Sequence, residues 1–95
     1  MFNLLLEYVG TLIFLSTILI VIRKKFSKEL GPLIIGLGLA LPIYLAVSMN
    51  GTGHLNPAVS VMMYFDNKIK LNNLIMIILA QVLGGLTALQ LPISS

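Results

Sequence analysis

The residues that decide the reading are Gly51-Thr52-Gly53-His54-Leu55-Asn56-Pro57-Ala58-Val59-Ser60, set between long apolar segments. Pro57 suits the first position of a helix, because its fixed φ is helical and no hydrogen-bond donor is lost there. Asn56 before it is a good N-cap. The apolar run that follows, Pro57 to Phe65, holds about 9 residues and makes a helix about 14 Å long, half the depth of a bilayer core. A run that short reads as re-entrant. Irregular backbone at membrane depth is allowed only where protein or a water-filled cavity surrounds it. A helix start at Asn56-Pro57 would turn free N–H groups and a positive dipole end toward the bilayer midplane. Such an end repels cations and offers donors to water or a hydroxyl, and the Asn56 amide adds a donor and an acceptor. Gly51 and Gly53 let the backbone turn sharply and expose carbonyls.

The rest of the chain fits a membrane setting. Of 95 residues, 58% are hydrophobic and 9% charged, where a soluble domain carries about 25% charged residues. Three segments, roughly 3–22, 30–49 and 71–91, each offer the ~20 apolar residues that cross a bilayer. A multi-pass membrane protein follows, with the lipid bilayer as its first partner. A cleaved signal peptide would want basic residues before the apolar run. Here Glu7 stands near the start and Arg23, Lys24, Lys25 and Lys28 come after it, so the first segment reads as retained. The four basic residues mark the membrane surface and do not suggest nucleic-acid binding. Small residues recur at four-residue steps, Gly36 and Ala40 in the second segment and Ala80, Gly84 and Ala88 in the third, and allow close helix packing. Pro42 is expected to kink or loosen the second segment. There is no cysteine, and a single histidine, His54, makes no zinc site. No metal, cofactor or nucleophile–base pair is indicated, and the chain does not read as an enzyme.

The loop "GHLNPAVS" resembles the first half-helix loop of the major intrinsic proteins, the aquaporins and glycerol facilitators. "EYVGTLIF" (Glu7 to Phe14) is similar to that family's first helix, and "AQVLGG" (Ala80 to Gly85) to its third. Order and spacing agree over nearly the whole chain. The resemblance implies an all-α membrane protein: three transmembrane helices plus one re-entrant half-helix, half of an aquaporin-like inverted-repeat channel. It implies that Asn56 is the pore donor, that Pro57 and Ala58 hold the half-helix ends together, and that Gly51, Gly53, His54 and Leu55 form the vestibule approach. It also implies that Glu7 and Gln81 brace the loop from behind.

The chain matches only the first of the family's two repeats. The second NPA, and the filter Arg after it, belong to the second repeat; at the place matching that Arg stands Val59. The second-helix filter position, usually aromatic in the family, falls on Gly36. Both substitutions imply a wider, less cation-averse opening. In the family the hinge after the first helix is outside, yet here that hinge carries four basic residues against Lys68 and Lys70 at the other end. The positive-inside rule favours the reverse insertion. One arrangement that meets this is insertion both ways, with antiparallel pairing of two copies.

The expected activity is passive permeation of water or small neutral solutes such as glycerol. It would be completed by a homo-oligomer or a complementary channel half. Two other readings remain at this point. One is a non-conducting relic or assembly subunit that pairs with a full-length relative. The other is a small dual-topology proton-coupled exporter, which shares a first-helix Glu but not the NPA loop.

Overall fold

The computed structural model describes residues 1–94. All regular structure among them is helical: α1 (Phe2–Arg23), α2 (Leu30–Ser48), α3 (Pro57–Phe65) and α4 (Leu71–Leu89). Helices α1, α2 and α4 are long and apolar enough to cross a membrane. Helix α3, with 9 residues, is not. Helix α1 packs between α2 and α4, and α3 lies against α4.

Three of the four helices end in the same way. Lys25, Asn50 and Asn67 adopt left-handed φ values of 55°, 64° and 62° just past α1, α2 and α3. In each case two backbone amides fold back on the last turn. Lys25 and Phe26 donate to the carbonyls of Ile22 and Val21, Asn50 and Gly51 to Val47 and Ala46, and Asn67 and Lys68 to Tyr64 and Met63. These are Schellman turns, which satisfy carbonyls that a helix end otherwise leaves open. Asparagine tolerates this conformation well. Helix α4 stops at Leu89 with Gln90 as its C-cap. Pro92 disfavours helical geometry at Leu91 and sets that limit. Helix α2 runs unbroken through Pro42, which is buried with Gly31 and Ala46.

The packing inverts the pattern of a water-soluble domain. Large apolar side chains such as Leu33, Leu37 and Leu41 on α2, and Leu79, Leu83 and Leu86 on α4, face outward. The largest fully buried side chains are Leu55, Ile77, Gln81, Glu7, Thr11 and Ser60, four of them polar. Lipid solvates the outer apolar surface, while polar groups must find partners inside. Close approach of α4 to α1 depends on Gly84, where an added Cβ would lie 2.7 Å from the Tyr8 carbonyl oxygen. One turn further on, the Tyr8 hydroxyl and Thr87 Oγ1 are 2.7 Å apart.

Candidate pore-loop site

Residues 51–55 connect the end of α2 to the start of α3 without regular structure. Two of them hold left-handed backbones, Gly53 at φ 64° and Leu55 at φ 53°. Glycine adopts that conformation freely, whereas in a leucine it costs about 1–2 kcal/mol. The Leu55 conformation is held from two sides. Its amide donates to Glu7 Oε1 at 2.9 Å, and its side chain is buried against Gly10 of α1.

Glu7 lies at the centre of this support and is wholly buried. The His54 amide donates to its Oε2 at 2.8 Å. Thr52 Oγ1 donates to the same oxygen, and Gln81 Nε2 donates to Oε1 at 3.0 Å. With the Leu55 amide, four donors converge on two oxygens, the pattern that suits an acceptor-only carboxylate. Gln81 Nε2 also donates to Ser60 Oγ at 3.0 Å. Ser60 Oγ in turn shares a hydrogen bond with Nδ1 of His54, 2.9 Å away. Asn3 completes the near end of the loop, accepting the Thr52 amide at 2.8 Å and donating to Thr52 Oγ1 at 3.0 Å.

A trans peptide points its carbonyl opposite to its N–H. Because the His54 and Leu55 amides turn inward to Glu7, the carbonyls of Gly53 and His54 turn away from it. Neither accepts a hydrogen bond among the described residues. Asn56 follows in extended geometry, and its Oδ1 accepts the Ala58 amide at 2.8 Å. The Asn56 Nδ2 donor has no partner among the described residues, and Asn56, Pro57 and Ala58 are all exposed.

Beyond the start of α3 lies an open cleft of about 580 Å³ between α1 and α4, with Thr11, Leu15, Asn56, Pro57, Gln81 and Gly85 among its walls. It is mostly apolar. Two buried polar atoms of its lining residues, Thr11 Oγ1 and Gln81 Oε1, have no hydrogen-bond partner among the described residues.

Of the residues singled out in the sequence, Glu7, Gln81, Gly51, Gly53, His54, Leu55, Asn56, Pro57 and Ala58 belong to this one loop and its support. His54 and Leu55 are buried in it, whereas Gly51 and Gly53 are only half-buried. Gly36 and Val59 stand apart. Gly36 is exposed on α2, with no heavy atom within 4 Å of where its Cβ would lie, and Val59 is half-buried on α3. Their two helices make no direct packing contact. Sequence reasoning passed over Asn3, Thr52 and Ser60. Thr52 had a signal in its place between two loop glycines, and Ser60 in being a hydroxyl at the start of a membrane-depth helix. Asn3 had none.

A family model described as Major intrinsic protein matches residues 3–93. The chain belongs to the major intrinsic protein family. It is an integral, multi-pass membrane protein, and its outward apolar faces contact the bilayer. It is also similar to Glycerol uptake facilitator protein-like 6 of Lactiplantibacillus plantarum, at 36% identity over 86 residues. That match covers 88% of this chain and 39% of the relative, so the chain spans well under half the length of this member of the family. No solved structure matches the chain.

Proposed function

We propose that this chain supplies one half of a channel for passive permeation of water or small neutral solutes such as glycerol. The observation that carries the reading is the two-sidedness of the loop. One side is tied down by Glu7, and the other presents the free carbonyls of Gly53 and His54, followed by the free amide donor of Asn56. A column of acceptors ending in a donor suits a molecule that carries hydroxyl groups. The positive end of α3 beside Asn56 disfavours cations. Permeation requires no bond-making step, so the chain acts as a channel part and not as an enzyme.

A second half completes the pore, from another copy or another chain. The cleft beside Asn56 and Pro57 is where it seats. Permeation of a solute as large as glycerol is in keeping with the name of the similar Lactiplantibacillus protein.

The test is osmotic. Vesicles carrying the purified chain are mixed rapidly into a glycerol gradient and into an impermeant-sugar gradient, and light scattering follows their volume. Swelling and shrinkage faster than in empty vesicles support the channel reading. Rates equal to empty vesicles, with the helices intact by circular dichroism, would refute permeation by this chain alone. Coexpression with a full-length relative then tests the assembly-subunit reading.

A further inference from the structure

We propose that the hinge between α1 and α2 is a docking surface for anionic phospholipid headgroups of the membrane in which the protein sits. Arg23, Lys24, Lys25 and Lys28 fall within six consecutive positions, with Glu29 directly after them. No ion pair joins Glu29 to any of these cations among the described residues, and the other carboxylates, Glu7 and Asp66, belong to the buried site and to the far end of α3. Four neighbouring cations with no ion-pair partner among the described residues repel one another, and an external anion relieves that repulsion.

The backbone holds the cluster in one place. The Schellman turn at Lys25 reverses the chain while the Phe26 amide is fastened to the Val21 carbonyl at 3.1 Å. Arg23 Nη1 donates to the Ile93 carbonyl at 3.0 Å and Lys24 Nζ to Ser94 Oγ at 3.2 Å, so the segment after α4 steadies both bases from one side. Their remaining donors stay open. Lys25 and Lys28 have no side-chain partner among the described residues.

Depth selects the partner. Exposed Ile22, Phe26 and Leu30 form an apolar collar interleaved with the cations. Apolar side chains embed at the level where lipid tails begin, and this sets the ammonium and guanidinium groups at the level of the lipid phosphates. A free phosphate in water meets the same charges without the collar, and a zwitterionic headgroup meets them with its own cation. Anionic phospholipid satisfies both features.

The experiment titrates the full chain in detergent with phosphatidylglycerol, with phosphatidylcholine and with inorganic phosphate, and counts retained lipid by native mass spectrometry. The variants are Lys24→Gln/Lys25→Gln/Lys28→Gln, the charge-keeping Lys24→Arg/Lys25→Arg/Lys28→Arg, and Lys68→Gln/Lys70→Gln at the opposite end. The glutamine hinge variant is expected to lower phosphatidylglycerol retention by at least about tenfold, while the other two change it by less than about twofold. Helix content by circular dichroism accompanies each variant. Equal retention of phosphatidylcholine, an equal loss in the Lys68/Lys70 variant, or loss in the arginine variant overturns the proposal. Displacement of the lipid by millimolar inorganic phosphate makes the surface a general anion site, and also overturns it. None of these readouts depends on permeation, so the channel reading stands or falls separately.

Discussion

Leu55 seals the loop against Gly10: a Cβ added to Gly10 would lie 2.5 Å from Leu55 Cδ2. The same leucine carries a left-handed backbone and gives its amide to Glu7. One residue therefore fixes the loop to α1 through both its backbone and its side chain. Its side chain is 1% exposed, and its backbone is held in place by the Glu7 carboxylate.

Gly10→Ala is accordingly expected to destabilise the fold by about 1–3 kcal/mol through overpacking. Leu55→Ala alone is expected to cost about 2 kcal/mol or more through the cavity it leaves. Combined, the two should cost clearly less than their sum, because each relieves the defect of the other. Chemical unfolding in detergent measures all three. Strict additivity would show that these residues do not touch.

Replacing the carboxylate tests the support beneath the loop. Glu7→Gln keeps the size but turns an amide donor toward groups that are themselves donors. Each lost hydrogen bond to a charged group is worth about 1.5–3 kcal/mol. Hydrogen exchange at the His54 and Leu55 amides should accelerate by at least about tenfold. Unchanged protection at both amides would remove Glu7 from its supporting role.

Two glycines should respond in opposite ways. At Gly84 an added methyl meets the Tyr8 carbonyl at 2.7 Å and the Leu12 amide at 3.1 Å, both backbone atoms that cannot step aside. Gly84→Ala should lower stability by about 2 kcal/mol by forcing α4 away from α1. At Gly36 nothing lies within 4 Å, and Gly36→Ala should be neutral or stabilise by up to about 1 kcal/mol through helix propensity. Thermal unfolding followed by circular dichroism ranks the two, and a reversed order contradicts the packing described.

Asn56 combines two roles that substitution can separate. Asn56→Asp keeps the acceptor for the Ala58 amide but loses the free donor. Asn56→Ala loses both, and the missing cap should cost about 1 kcal/mol. The aspartate variant is therefore expected to fold as stably as the parent, within about 0.5 kcal/mol, while glycerol flux into vesicles falls in both variants. Parent-level flux in both would leave the free donor without a part in permeation.

Much of the architecture was legible in the chain itself. Length and hydropathy mark three spans, and Asn56-Pro57 marks the start of a helix too short to cross. Glu7 and Gln81 stand out because polar residues are rare in such helices. What they touch does not stand out, since their partners lie tens of residues away and the contacts exist only once three helices converge. Asn3 looks like an ordinary residue near a helix start until the fold brings Thr52 against it. Leu55 is similarly silent: nothing in a leucine announces a left-handed backbone, which here follows from where Glu7 and Gly10 hold it.

The spacing of those partners also sets an order of events during synthesis. Glu7 leaves the ribosome 47 and 48 residues ahead of the amides it will hold, and 74 ahead of Gln81. Helix α1 thus reaches the membrane with an acid whose partners have not yet been made, a costly passenger in hydrocarbon. The loop takes up most of that burden when it folds back, and α4 closes the arrangement last. Until Gln81 emerges the carboxylate lacks one of its four donors, so a helix made late completes the setting of an acid made early.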